Sequence, residues 1–173
     1  YETNGLCPIL NIPLLLGIGL PELQIAVECH NINPYDLFPK DWKDYIYVAH
    51  NGKFDHSVAE ANHKVEIEKL FDTMVADQKV MQNMGVRNNY ESCLMRYLKV
   101  ELEQDKSNRL EFVGKDPVKD PFYTKKQLKY LKGDIQHLLP LKDAIVRYSD
   151  EFKLTDWLNA VELKLPRILG NAE

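Results

Sequence analysis

Two acidic positions stand where chemistry could be done. Asp55 follows Tyr45-Ile46-Tyr47-Val48-Ala49, an apolar and aromatic run that reads as a short buried strand with no solvated face. His50-Asn51-Gly52 breaks the run, and Gly52 supplies the permissive backbone a tight turn needs. A carboxylate delivered beside the carboxyl end of a buried strand is where open α/β sheets put their chemistry. The plainer alternative is that Asp55 only caps the helix that follows it. The second position is Asp134. Tyr130 lies one helical turn before it, so phenol and carboxylate project from one face. Alone, that pair is common enough to carry little.

The elements that must position these groups follow from pattern. Ile9 to Gly19 and Leu23 to Cys29 read as strands joined through Leu20-Pro21-Glu22, and Asn33-Pro34-Tyr35-Asp36 starts a short helical segment through Trp42. Helices are expected from Asp55 to about His63, and from Asp72 to Met84, ended by Gly85. Another is expected over Tyr90 to Lys99, with Leu94, Tyr97 and Leu98 inward. From Val100 to Tyr123 the pattern dissolves into a surface loop with one short helix. That loop is basic, with Lys106, Arg109, Lys115 and Lys119 ahead of Lys125, Lys126, Lys129 and Lys132. It is either a solvated face or a grip for a strand end. Thr124 caps a helix running to about Arg147, with Leu128, Leu131, Ile135, Leu138, Leu139, Ile145 and Val146 as its apolar face and a kink at Pro140. A last helix starts near Thr155-Asp156.

Composition narrows the function classes. The 173 residues suit one domain with a real core, and a net charge of −4 argues against gripping long duplex DNA by charge alone. Cys7, Cys29 and Cys93 are an odd number at wide spacing, which reads as reduced core thiols in an intracellular protein. The apolar run Leu14 to Leu20 is far too short to span a bilayer, and no basic segment precedes it as in a signal peptide. No membrane partner is expected. His30, His56, His63 and His137 have no metal-ligand spacing with any cysteine, and neither nucleotide-binding glycine motif occurs.

Three motifs taken in order change the weight of the acidic positions. Glu2-Thr3-Asn4-Gly5-Leu6, His50-Asn51-Gly52-Lys53-Phe54-Asp55 and Tyr130-Leu131-Lys132-Gly133-Asp134 together resemble the DEDD superfamily of 3′→5′ exonucleases, in its tyrosine-bearing (DEDDy) subclass. Leu70-Phe71-Asp72-Thr73-Met74 is similar to a supporting segment of the same enzymes. The resemblance implies an α/β, ribonuclease H-like fold, a mixed sheet flanked by helices. It covers residues 1 to 147, within an expected exonuclease domain over 1–150. Residues 151–173 resemble the helical segment that leads, in family A DNA polymerases, toward the polymerase domain.

The implied chemistry suits the residue types. Phosphodiester hydrolysis needs an activated water and neutralisation of charge on the attacked and leaving oxygens, which two Mg²⁺ or Mn²⁺ ions can supply. Hard cations take oxygen ligands, so the resemblance assigns Glu2, Asp55 and Asp134 as metal ligands. Tyr130, with an ordinary pKa of about 10, is a poor general base and is assigned to orienting the water. Leu6 is assigned to wedging against the terminal base, Asn51 to contacting the last nucleotides, and Phe54 to the core.

The implied activity is proofreading at a single-stranded DNA 3′ end, in a domain covalently joined to a DNA polymerase I-like enzyme of a bacterial or phage-infected cytoplasm. Two alternatives remain: a ribonuclease D-like exonuclease acting on RNA 3′ ends, and a catalytically inactive domain of this fold kept for structure or strand binding. The family's first motif carries an aspartate two residues before Glu2, where this sequence has none. The expectation is that the natural protein continues upstream with an apolar strand ending Asp-Tyr-Glu-Thr.

Overall fold

Strand β2 (Pro13–Gly19) begins at a proline, whose missing N–H is tolerated at the first residue of a strand. The expected strand from Ile9 is therefore shorter. Residues 4–12 instead form a loop that Asn4 closes, its N–H donating to the Ile12 carbonyl (3.1 Å) and its side chain accepting from the Ile12 N–H (2.8 Å). β2 pairs antiparallel with β1 (Glu2–Thr3) on one side and β3 (Gln24–Glu28) on the other. The register shifts between Glu2 and Thr3, and a bulge of this kind turns side chains that strict alternation would separate. Both residues are buried.

The computed structural model describes residues 1–82, 84–102 and 106–154, and the chain divides into two units that interleave in sequence. The first comprises Tyr1–Trp42, Phe54–Glu66 and Glu103–Gln136. It holds the antiparallel sheet and α4 (Lys125–Ile135). Thr124 caps α4 as expected, in a capping box with Gln127. Gly17 and Gly19 let α4 lie directly on β2. A Cβ on Gly17 would stand 2.9 Å from Leu131 Cδ1, and one on Gly19 would stand 3.0 Å from the Ile135 carbonyl oxygen. Leu14, Leu15, Phe112 and Leu131 form the core behind this contact, with Tyr130 packed against it.

The second unit comprises Lys43–Lys53, Ile67–Leu102 and the segment from His137 onward. Parallel strands β4 (Tyr47–Ala49) and β5 (Leu70–Asp72) pair there. The expected strand over 45–49 loses its first two residues: Tyr45 and Ile46 are 53% and 50% exposed, so the run is not wholly buried. Helices α2 (Thr73–Val80), α3 (Tyr90–Leu98) and α5 (Leu138–Glu151) enclose a core of Phe71, Ala76, Cys93, Leu94, Leu141 and Ile145. The fully buried Asp77 carboxylate joins α2 to α3, accepting from Arg96 (2.5 and 2.7 Å), Asn88 (2.7 Å), Tyr97 (2.8 Å) and Cys93 Sγ (3.2 Å).

Two helix boundaries depart from expectation for identifiable reasons. α1 (Gly52–Val58) starts three residues before Asp55 and continues as a π-helical turn over Ala59–His63. Asp72 supplies the missing cap from a distant segment, accepting the N–H groups of Asn51 (3.1 Å) and Gly52 (2.7 Å). Asn51, with φ 64°, takes the left-handed residue of the turn that Gly52 was expected to take. The helix expected from Thr124 to Arg147 is two helices. Pro140 would set its ring against the Gln136 carbonyl in a continuous helix, and here it sits in the first turn of α5, where its missing donor is harmless. α2 ends at Val80, ahead of Gly85. Among the described residues no helix is long and apolar enough to cross a membrane. The helix expected from Thr155 lies outside the described residues.

Candidate active site

Glu2, Asp55, Tyr130 and Asp134 all belong to the first unit, although sequence separates them by up to 132 positions. Asp55 is not a helix cap. It points from the first turn of α1, and its Oδ1 accepts from the Tyr1 nitrogen at 2.5 Å. Tyr130 and Asp134 lie one turn apart on α4, where the charge of Glu2 is felt at Tyr130 and that of Asp55 at Asp134.

Burial pushes the Glu2 carboxyl up to about 7, and the charges of Asp134 and Asp55 push the same way. Burial likewise pushes Asp134 up to about 6. The Tyr130 hydroxyl, donating to its carboxylate, and the Arg109 charge hold it from rising further, and Asp55 acts against them. Burial raises the Tyr130 phenol well above its ordinary value, with Asp134 and Glu2 adding to the shift. Three carboxylates thus share one partly desolvated region, two of them reluctant to ionise together.

A small pocket opens beside Glu2, lined by Thr3, Leu6, Phe54, Arg109 and Val113. Leu6 is 74% exposed at its margin. Phe54, expected in the core, is half-buried on the pocket wall. Asn51 falls in the second unit, with an exposed side chain. Sequence reasoning placed Arg109 only within a basic stretch, because nothing in the spacing of that loop ties one cation to Glu2.

The donor set fits a hard divalent cation in kind, since every candidate ligand is a carboxylate oxygen and the crowded negative charge is what such an ion relieves. Among the described residues no three carboxylate, histidine or cysteine side chains are drawn together into a preformed metal cage.

Residues 27–148 match the sequence model of a family described as 3′-5′ exonuclease. The match takes in the His50–Asp55 and Tyr130–Asp134 motifs and leaves out residues 1–6. Among solved structures, Brucella melitensis NrnC is similar at 18% identity and a TM-score of 0.79, over 99% of this chain and 84% of that one. The same nuclease bound to pGG gives 18% identity and a TM-score of 0.78, over 96% of this chain and 78% of that one. With bound Mg²⁺ it gives 18% identity and 0.76, over 99% and 84%. At this identity the likeness establishes the fold, a mixed α/β architecture of sheets flanked by helices as in DEDD exonucleases. No curated protein matches the chain.

Proposed function

The chain belongs to the 3′-5′ exonuclease family, and from that premise we propose that it hydrolyses short single-stranded RNA oligonucleotides from the 3′ end with two Mg²⁺ or Mn²⁺ ions. The observation that carries the RNA reading is the likeness to NrnC, a nuclease bound to pGG in one structure and to Mg²⁺ in another. Proofreading at a DNA 3′ end inside a polymerase is the less supported reading. The segment on which it rested, residues 151–173, lies outside the described residues from 155 onward, and the similar structures reported above are not polymerases.

In this mechanism Glu2, Asp55 and Asp134 are the residues that would hold the cations. When bound, such ions lower the pKa of a coordinated water and offset charge on the attacked and leaving oxygens. Tyr130 is no base, since its phenol is held above its ordinary value. Its hydroxyl, anchored on Asp134, orients the attacking water. Leu6 offers an exposed apolar surface to the terminal base at the pocket margin.

The test is hydrolysis of matched 5′-labelled RNA and DNA, from dinucleotides to longer oligomers, with Mn²⁺ and with EDTA. Stepwise metal-dependent loss from the 3′ end, fastest on short RNA, is expected. Activity confined to mispaired DNA termini would favour the proofreading reading. Absence of hydrolysis on every substrate, with Asp55→Ala and Asp134→Ala behaving as the parent, would leave an inactive domain of this fold.

A further inference from the structure

The pocket beside Glu2 carries one cation that the chemistry above does not use. Arg109 lies on a 3₁₀ helix, Lys106–Glu111, that is pinned at its far end. Phe112 beyond it is buried in the core, its N–H bonded back to the Arg109 carbonyl at 3.2 Å. Gln127 of α4 donates to the Glu111 carbonyl (3.2 Å), and Lys126 pairs with the Glu111 carboxylate (3.3 Å). Gly114, at φ 75°, donates to the Asn4 carbonyl (2.8 Å), tying this segment to the β1 loop. The backbone of Arg109 is therefore held between the two elements that carry Glu2 and Asp134.

Its side chain is engaged differently from its neighbours. Lys115 pairs with Asp120, Lys119 with Asp116 and Lys126 with Glu111. Arg109 has no ion pair within 4 Å to any described residue, although its charge is felt at Glu2, Tyr130 and Asp134 and it lines the pocket with Glu2. It is also exposed, so a ligand can reach it. A guanidinium close to a carboxylate group, but not bonded to it, keeps its planar donor fork for an anion that arrives later. Phosphate oxygens match that fork in two-point geometry. A site built on three carboxylates repels a polyanion, and a fixed cation at its rim offsets that repulsion before any metal is counted.

We propose that Arg109 is a substrate-binding residue that grips a non-bridging phosphate oxygen at the 3′ end of the oligonucleotide. The inference rests on the exonuclease reading, and its test separates the two. Steady-state hydrolysis of pGG and of a longer single-stranded RNA is compared for the parent chain, Arg109→Gln and Arg109→Lys in saturating Mn²⁺. Binding of fluorescent RNA is followed in EDTA across a salt series, and Mn²⁺ affinity is titrated separately. Losing one charge-assisted contact should raise KM about 10-fold or more, with kcat changed far less. It should also shrink the salt slope of binding by about 0.7, one phosphate's share on a single strand. Arg109→Lys should recover part of the loss, because the charge returns without the fork. An unchanged KM in Arg109→Gln overturns the proposal whatever the binding series reads. Tightened Mn²⁺ binding alongside it would reduce Arg109 to a counter-charge for the carboxylates. If the parent chain hydrolyses no oligonucleotide, the exonuclease reading falls first and this inference with it.

Discussion

The Tyr130 hydroxyl donates a hydrogen bond to the Asp134 carboxylate one turn further along α4. The bond favours the ionised form of Asp134 against the burial that opposes it. α4 can hold that geometry because Gly17 and Gly19 leave room for it on β2.

Tyr130→Phe should lower kcat about 10²-fold, the usual worth of a positioned orienting group. Metal ligands stay in place, so the Mn²⁺ affinity at high pH should change little. Asp134 loses a donor that stabilised its charged form, so the acidic limb of the rate profile should move to higher pH. A pH–rate series beside a Mn²⁺ titration measures both.

Glu2 gives a stability prediction of definite sign. Its carboxyl is raised from an ordinary 4.5 to about 7, so the folded state binds this proton more tightly than the unfolded chain does. Its burden is absent below about pH 4.5 and grows as pH rises through about 7. In EDTA, Glu2→Gln should therefore melt higher than the parent at pH 7.5, with the gap closing as the pH is lowered to 4.5. Added Mn²⁺ should stabilise the parent more than the variant. A gap that does not change with pH would remove Glu2 from the carboxylate group.

Gly19→Ala places a methyl 3.0 Å from the Ile135 carbonyl oxygen, a backbone atom that cannot rotate away. The end of α4, next to Asp134, must shift, at a cost of about 1–3 kcal/mol. Gly17→Ala meets side-chain atoms of Leu131 and Ile135, which have rotamer freedom to retreat. Urea midpoints should rank Gly19→Ala as the less stable, and its kcat should fall further than that of Gly17→Ala.

Asp77→Ala tests the second unit without touching the carboxylates of the first. Removing the acceptor leaves Arg96, Asn88, Tyr97 and Cys93 without their shared partner at a fully buried position. Breaking such a pair costs about 3–5 kcal/mol. Chemical denaturation should show a loss of that size. A loss within ordinary surface-mutation scatter would mean the network contributes little to folding.

The sequence alone determined the order of the motifs and the local elements that carry them. Thr124 before Lys125 and Gln127 is a helix start because its capping groups lie within four residues, and the Tyr130–Asp134 pair follows from helical period alone. The alternation of proline, glycine and apolar runs was enough to separate β2 from β3. Local pattern failed wherever the deciding partner was distant in sequence. α1 begins at Gly52 because Asp72, 20 residues on, accepts its N–H. The register shift between Glu2 and Thr3 is set by pairing with β2, and no pattern of two residues could announce it. Arg109 was one basic residue among eight until the core position of Phe112 and the Gly114–Asn4 bond held it beside Glu2. Burial and proximity set carboxylate pKa values and decide which charged groups pair, and both are properties of the packed chain. Only the tertiary structure could therefore decide which of the charged residues face one another.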